Sequence, residues 1–366
     1  MATLTVLSKD KIYGPTKENP KIALTYPRLV EIEHYEGEEG TLLVTGESLD
    51  INGYRIHRSR DGGKSWEHIA TVTETMEPDL IANWQPHLYE LPKKVGEMPK
   101  GTLILSGCTR DLRVERITKM CLWRSFDCGK SWEEFSVVAV GGDIHCGLYE
   151  PFCILSDDGR LFCFYSDETH PDHSQMLVCK YSHDGVNWSD RILVVACKER
   201  HLRPGMISIA RQGNGFYALA YEMVAEKGHP IYVKTSERLD DWGDPSEIGY
   251  KVVSKTQDAP SCTPYIAWLP AGGECGTLVV ASWHLASFEE GKGSDLYVSF
   301  DYGKTWETVE NPLPFVWPAK HRYSYSPTLV KGSRDDILYY INAVECEDKE
   351  FSPLADFVLC TIKIGE

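Results

Sequence analysis

The chain has 366 residues, of which 42% are hydrophobic and 25% are charged, a composition typical of a globular protein with a sizeable buried core. Acidic residues outnumber basic residues by 54 to 38, which gives a formal net charge of -16. This charge repels polyanions, so we expect no nucleic acid partner.

The cysteines and the first residues bear on the cellular compartment. None of the twelve cysteines forms a Cys-x-x-Cys pair, and Cys153, Cys163 and Cys360 stand within apolar strand patterns, where cysteine behaves as a small hydrophobic residue. The first ten residues lack a basic segment followed by an apolar one, and no apolar run reaches the roughly 18 residues that span a bilayer. We therefore expect a cytoplasmic protein with reduced thiols, no membrane partner and no metal.

Six similar segments follow one another along the chain. Each contains a proline near the start of an apolar strand, then a turn and a second apolar strand. The prolines are Pro27, Pro86, Pro151, Pro204, Pro264 and Pro327, and the second strands cover residues 41–44, 102–105, 161–164, 216–219, 277–280 and 337–340. Both strands are apolar on both faces, which is typical of inner strands packed between other sheets.

This repeat predicts the fold. Six repeats of about sixty residues fit four-stranded blades around a channel, so we predict an all-β, six-bladed β-propeller. Residues 357–362 are expected to share a blade with residues 3–6, which removes a free sheet edge. No internal linker interrupts the pattern, so residues 1–366 are expected to form a single domain.

A second repeat has the form Ser-x-Asp-x-Gly-x-Ser/Thr-Trp. Full copies cover residues 59–66, 125–132 and 299–306, and degenerate copies cover residues 182–188 and 236–242. The aspartate can accept hydrogen bonds from backbone N–H groups, the glycine takes up positive φ, and the tryptophan packs beneath the turn. The pattern therefore predicts a hairpin turn rather than a catalytic group.

Polar side chains concentrate where first strands start and second strands end. In a propeller these positions share one face, so we expect them to line a single funnel. Glu150 and Glu222 each follow a tyrosine in apolar sequence and belong to neighbouring repeats. Partial burial raises the pKa of a carboxyl group, and paired carboxylates are the usual machinery of glycoside hydrolysis. The alternative is a structural ion pair of either glutamate with Arg28 or Arg203.

The Ser-x-Asp-x-Gly-x-Ser/Thr-Trp repeat resembles the Asp box of sialidases and related propellers, and this resemblance implies that the six-bladed β-propeller is of the sialidase-like type. Four short segments, at residues 26–29, 85–90, 149–152 and 203–206, are most similar to glycoside hydrolase family 93. The resemblance implies an exo-α-1,5-L-arabinanase that releases arabinobiose, with Glu150 and Glu222 as its catalytic pair. It also implies a retaining mechanism with Glu150 as nucleophile and Glu222 as acid/base, and hence carboxyl groups about 5–5.5 Å apart.

The same resemblance implies the substrate contacts. Side chains expected to hydrogen-bond sugar hydroxyls are Arg28, His87, Arg203, His284 and Tyr325, and those expected to stack on a sugar face are Trp84 and Tyr149. No cofactor is expected, because acid/base chemistry on an acetal needs none. Known arabinanases of this family are secreted, so a cytoplasmic relative would act on small imported oligosaccharides, and another small glycoside stays open as substrate.

Two other functions stay open at this stage. A sialidase would bind the sialic carboxylate with three arginines, for which Arg28, Arg203 and Arg322 are candidates, with Tyr325 and Asp50 nearby. Against it, the usual Phe/Tyr-Arg-Ile-Pro start is absent. The third possibility is a non-catalytic propeller that binds a protein or a glycan, although an inactive descendant would be expected to lose one of the two carboxylates.

Overall fold

A computed structural model describes residues 3–48, 50–73, 81–111, 117–143, 145–283, 295–313, 325–346, 348, 350–351 and 354–365. These residues form strands, turns and loops. Among them we find no apolar helix of membrane-spanning length.

The strands assemble into six four-stranded sheets, called sheets I to VI in chain order. The N-terminal strand β1 (Leu4–Tyr13) belongs to sheet VI. Sheet I contains β2 (Leu24–Glu31), β3 (Leu42–Ser48), β4 (Gly53–Ser59) and β5 (Glu67–Thr73). Sheet II contains β6 (Ile81–Glu90), β7 (Leu103–Asp111), β8 (Thr118–Ser125) and β9 (Glu133–Val140). Sheet III contains β10 (Leu148–Leu155), β11 (Leu161–Asp167), β12 (Met176–Ser182) and β13 (Ile192–Val195).

The remaining sheets repeat this arrangement. Sheet IV contains β14 (Arg203–Arg211), β15 (Tyr217–Val224), β16 (Ile231–Ser236) and β17 (Tyr250–Lys251). Sheet V contains β18 (Tyr265–Leu269), β19 (Thr277–Ala281), β20 (Leu296–Ser299) and β21 (Glu307–Val309). Sheet VI contains β22 (Thr328–Lys331), β23 (Ile337–Glu345), β24 (Ala355–Ile364) and β1. The antiparallel pairing of β1 with β24 confirms that the chain's first and last strands share a sheet.

The chain divides into two compact units. Unit A consists of Met1–Pro27, Ser208–Arg238 and Ile248–Glu366, and unit B consists of Arg28–Ile207 and Leu239–Glu247. In unit B, buried residues of sheets II and III such as Ile104, Cys153 and Tyr165 form one apolar cluster. In unit A, Val233, Val280 and other residues of sheets IV and V form another. A single domain over residues 1–366 stays a prediction.

Each sheet carries a non-glycine residue with positive φ at or just before its first strand in chain order, or at β22 in sheet VI. These residues are Tyr26 (58°), Gln85 (50°), Glu150 (64°), Met206 (56°), Thr263 (43°) and Ser326 (59°). Five of them directly precede a proline of the sequence repeat. The ladder between β10 and β11 shifts register between Tyr149 and Phe152, which marks a β-bulge at Glu150. A non-glycine residue with positive φ costs on the order of 1–3 kcal/mol of stability, so each of these six positions needs a compensating contact.

That contact is a hydrogen bond from the backbone N–H of each positive-φ residue, here called the bulge N–H. In unit B, the N–H groups of Gln85, Glu150 and Met206 donate to side-chain oxygens of Glu47 (2.8 Å), Gln85 (3.0 Å) and Glu150 (2.7 Å). In unit A, those of Tyr26, Thr263 and Ser326 donate to Tyr325 O (3.2 Å), Glu222 Oε2 (2.7 Å) and Thr263 Oγ1 (3.2 Å). Every acceptor comes from a different sheet or its leading loop, so these bonds tie sheets together within each unit.

The Asp boxes form the predicted turns. In the full copies, Oδ1 of Asp61, Asp127 and Asp301 accepts the backbone N–H four residues later at 2.9 Å. The indole N–H of Trp66 donates to Gly63 O, and Trp132 repeats this contact with Gly129 O, both at 2.9 Å. Partial burial of Asp127 acts to raise its pKa, but the hydrogen bonds from Ser131, Ser125 and the N–H of Lys130 together outweigh it and lower the pKa, because they favour the ionised carboxylate.

We expect Asp127→Ala to lower the free energy of unfolding by roughly 1–3 kcal/mol, because the N–H groups of Lys130 and Ser131 lose their acceptor. Urea denaturation of the variant and of an Asp190→Ala control, which removes an exposed carboxylate, measures the difference. A loss no larger than that of the control would contradict the structural role of the Asp box.

Candidate active site

Glu150 is fixed through one of its two carboxylate oxygens. Its Oε2 accepts hydrogen bonds from Ser166 Oγ and from Met206 N, both at 2.7 Å. Ser166 is brought there because its residue position pairs with Tyr149 across β10 and β11. Among the described residues no lysine, arginine or histidine forms an ion pair with Glu150. The carboxyl group is therefore oriented by uncharged donors.

The surroundings of Glu150 raise its pKa. Loss of water around the carboxyl is the largest cause, and the neighbouring Glu168 charge acts in the same direction. The two hydrogen bonds and the charge of Arg203 act in the opposite direction. The sequence left open a structural ion pair between Arg203 and one of the two glutamates, Glu150 or Glu222. That pairing is wrong, because Arg203 pairs with Glu168 instead.

Glu222 lies on β15 in unit A and is buried. Its Oε2 accepts the bulge N–H of Thr263 at 2.7 Å. The preceding Tyr221 is fully buried, stacks on Tyr232 with ring centroids 5.7 Å apart, and donates its hydroxyl proton to Ile248 O. Oε2 of Glu222 is therefore anchored by a bulge N–H, as Oε2 of Glu150 is in unit B.

His87 is a buried, neutral imidazole. Its Nδ1 accepts the N–H of Cys153 at 3.1 Å, so the ring proton is on Nε2. Burial, followed by the charge of Arg28, lowers the pKa of His87 to about 3. Its ring lies 4.3 Å from that of Phe152, two residues after Glu150. The Nε2–H group can donate to a hydroxyl, whereas a cationic role is excluded near neutral pH.

The two aromatic side chains proposed to stack on sugar are partly exposed in unit B. The guanidinium of Arg110 lies 3.8 Å above the ring of Trp84, a cation–π contact that holds the ring in place. Tyr149 packs against Gly147, where an added Cβ would lie 2.5 Å from the Tyr149 hydroxyl oxygen. Burial, followed by the charge of Glu168, raises the pKa of Tyr149 to about 12, so its hydroxyl stays protonated.

The predicted site residues fall into two groups. Unit B contains Arg28, Trp84, His87, Tyr149, Glu150 and Arg203, and unit A contains Glu222 and Tyr325. Tyr325 lies against Tyr26 and Trp283, with ring centroids 6.2 and 5.3 Å away. The catalytic role of Glu150 and Glu222 and the distance between their carboxyl groups stay predictions. His284, and Arg322 of the sialidase alternative, lie outside the described residues.

Sequence reasoning missed several groups around Glu150. Ser166 and Met206 N orient its carboxylate, Gln85 accepts its N–H, and Glu168 pairs with Arg203. The available signal was the polar run at residues 166–168, which ends the apolar strand β11. The donor Met206 N is a backbone group, so no residue type in the sequence indicates it. Its contact with Glu150 is seen only when β10 and β14 are arranged in the fold.

Known proteins match this chain at two levels. The family model of the BNR-Asp box repeat matches residues 296–309. The chain is similar to an α-L-arabinanase of Penicillium chrysogenum solved with arabinobiose, with 26% identity over 98% of both chains and a TM-score of 0.82. It is also similar to the family 93 α-L-arabinofuranosidase of Fusarium graminearum solved with arabinobiose, with 25% identity over 98% of both chains and a TM-score of 0.80.

The chain has the fold of a sialidase-like six-bladed β-propeller. The predicted fold class and the resemblance to glycoside hydrolase family 93 are thus confirmed, as is the enzyme class of glycoside hydrolase. A Hadza microbial sialidase shares the fold at 14% identity, over 95% of this chain and 66% of that one, with a TM-score of 0.61. Among curated protein sequences, none matches the chain.

We expect His87→Asn to reduce the dependence of folding stability on pH. In the wild type the unfolded state gains a proton on His87 below about pH 6.5, whereas the folded state stays neutral down to about pH 3. Stability present above pH 6.5 is therefore lost as the pH falls, by about 1.4 kcal/mol per pH unit from this residue. The asparagine amide oxygen can still accept the Cys153 N–H.

Urea denaturation of both proteins between pH 7 and pH 4 checks this expectation. The wild type is expected to be more stable at pH 7, and the difference should shrink steadily below pH 6.5. His57, whose pKa burial also lowers to about 3, is present in both proteins and cancels in the comparison. A constant difference across this range would mean that His87 gains its proton at the same pH in the folded and in the unfolded state.

Proposed function

We propose that the protein is a retaining, exo-acting glycosidase of the α-L-arabinanase or α-L-arabinofuranosidase type, which cleaves small oligosaccharides with Glu150 and Glu222. The observation that carries the proposal is the state of Glu150, whose Oε2 is anchored by Ser166 and Met206 N while the group has no cationic partner among the described residues. The similar Penicillium and Fusarium enzymes were solved with arabinobiose, which supports an arabinose-containing substrate.

The proposed reaction has two steps. In the first, Oε1 of ionised Glu150 attacks the anomeric carbon, the glycosidic C–O bond breaks, and protonated Glu222 gives its proton to the leaving oxygen. In the second, ionised Glu222 takes a proton from water, the water oxygen attacks the anomeric carbon, and the ester bond to Glu150 breaks. Two inversions give net retention and return both glutamates to their starting states.

The anchoring suits these roles. A backbone N–H and a hydroxyl at Oε2 favour the ionised form of Glu150 and leave Oε1 for attack. Because loss of water raises the pKa of Glu150, its carboxylate is more basic than a hydrated one. His87 Nε2–H and the partly exposed rings of Trp84 and Tyr149 are proposed as sugar contacts, with Arg28, Arg203, His284 and Tyr325 as further ones.

The compartment is part of the proposal. All twelve cysteines are free thiols, and ten of them are buried. This pattern supports a reducing environment. We propose that the protein is cytoplasmic and acts on oligosaccharides that have been imported.

The sialidase alternative fits the described residues less well. Binding of a sialic carboxylate needs accessible guanidinium charge, whereas Arg203 already pairs with buried Glu168. Asp50, which a sialidase would place near these arginines, pairs with Arg55 at 2.7 Å. Assays with para-nitrophenyl α-L-arabinofuranoside, linear arabino-oligosaccharides and a fluorogenic sialoside separate the functions. Arabinobiose or arabinose release supports the proposal, whereas release of sialic acid alone overturns it.

We expect Glu150→Gln and Glu222→Gln each to lower kcat on arabino-oligosaccharides by on the order of 10⁴-fold. The amide oxygen of glutamine can still accept the N–H of Met206 or Thr263, so both variants should unfold at nearly the wild-type temperature. Glu47→Gln is the matched control, because Glu47 accepts the bulge N–H of Gln85 in the same way. Near-wild-type turnover of either catalytic variant removes that residue from the mechanism.

The stereochemistry of the product tests the retaining mechanism separately. We expect the sugar first released to keep the configuration of the substrate, because two displacements at one carbon restore it. Proton NMR of the anomeric signal during the first turnovers measures this before mutarotation. An inverted first product would instead require the wider carboxyl separation of an inverting enzyme.

A further inference from the structure

Glu168 is a buried carboxylate that the proposed chemistry does not use. Its side chain is 7% exposed, and it follows the last residue of β11. Its backbone N–H donates to Gly147 O at 3.1 Å, and its Oε2 accepts the N–H of Gly147 at 3.4 Å. Gly147 directly precedes β10, so Glu168 is fixed beside the strand that carries Glu150.

The partner of Glu168 is Arg203, at the start of β14. Arg203 donates to Glu168 Oε1, to Gln175 Oε1 at 2.8 Å and to Ser174 O at 3.5 Å. Gln175 also donates from Nε2 to Pro204 O at 2.8 Å. The guanidinium of Arg203 therefore has three acceptors, and Glu150 is not among them.

The segment from Arg203 to Met206 is held at both ends. Glu168 and Gln175 hold the Arg203 side chain and the Pro204 carbonyl, and Glu150 Oε2 accepts the Met206 N–H at 2.7 Å. The positive φ of Met206, 56°, points this N–H at the carboxylate. Without Glu168, the Arg203 guanidinium, whose side chain is 38% exposed, would lose its carboxylate partner and keep only the uncharged acceptors Gln175 Oε1 and Ser174 O.

We propose that Glu168 is a positioning residue, which pairs with Arg203 and so keeps that guanidinium from engaging Glu150, leaving Glu150 oriented by the Ser166 hydroxyl and the Met206 N–H. The inference rests on the proposed function of Glu150. A carboxylate paired with arginine is a weaker nucleophile and base than one held by uncharged donors. Glu168 therefore preserves the reactivity of its neighbour without touching the reacting atoms.

The charges around Glu150 give the sign of the effect. Arg203 lowers the pKa of Glu150 and Glu168 raises it, while the Cys108 thiol and the Tyr149 phenol nearby are held neutral by their own raised pKa values. Glu168→Gln removes the negative charge and leaves that of Arg203. We expect the pKa of Glu150 to fall by about one unit, and the acidic limb of kcat/KM to move down by the same amount.

Two measurements test this independently. The pKa of Glu150 is read from the carboxyl-carbon NMR signal of isotopically labelled glutamate, assigned by its loss in Glu150→Gln. This titration needs no activity, so it tests Glu168 even if the arabinan-type substrates fail. The pH profile of hydrolysis is then the second readout. Asp167→Asn is the matched control, because Asp167 is a buried carboxylate paired with Arg191 at the same strand end.

A double variant separates charge from structure. Glu168→Gln combined with Arg203→Gln removes both charges, and we expect the pKa of Glu150 to return to the wild-type value or above it. The double variant also leaves no arginine without its carboxylate partner, so it carries the test if Glu168→Gln alone does not fold. An unchanged or raised pKa in Glu168→Gln, a lowered pKa in the double variant, or an equal shift in Asp167→Asn would overturn the proposal.

Discussion

The structure depends on one repeated hydrogen bond, from the bulge N–H of each sheet to an acceptor of another sheet or its leading loop. A residue with positive φ is unfavourable unless a specific contact compensates for it. Carboxylate acceptors are well suited, since hydrogen bonds to charged groups contribute about 1.5–3 kcal/mol. In Gln85, Met206 and Thr263, the strained backbone and the contact that offsets it occur together.

This constraint explains why the candidate catalytic groups stand where they do. The acceptor position is filled by Glu47, Gln85, Glu150, Glu222, Thr263 and the Tyr325 carbonyl in different parts of the chain. The bond needs only one oxygen, so a glutamate leaves its second oxygen for other contacts. The fold thus supplies oriented carboxylates, and their individual surroundings decide their chemistry.

The surroundings of Glu150 are set by charge balance as much as by packing. Arg203 is close enough to lower its pKa, yet its hydrogen bonds go to Glu168 and Gln175. The positive charge of Arg203 is therefore neutralised by a carboxylate other than that of Glu150. The surroundings of His87 likewise set its charge. Burial and the charge of Arg28 keep the imidazole neutral, so that it offers a hydrogen-bond donor rather than a positive charge.

The sequence by itself determined the strand repeat and the Asp-box turns, and it predicted that the first and last strands share a sheet and that Glu150 and Glu222 form the catalytic pair. The strand repeat and the Asp-box turns are local features, because strand periodicity and turn chemistry depend on short segments. The shared sheet of the first and last strands was predicted instead from the need to remove a free sheet edge. Only the tertiary structure decided that Arg203 pairs with Glu168, that Met206 N anchors Glu150 and that His87 is neutral. Such contacts join residues some 35 to 66 positions apart, and depend on backbone direction and burial that no short segment encodes.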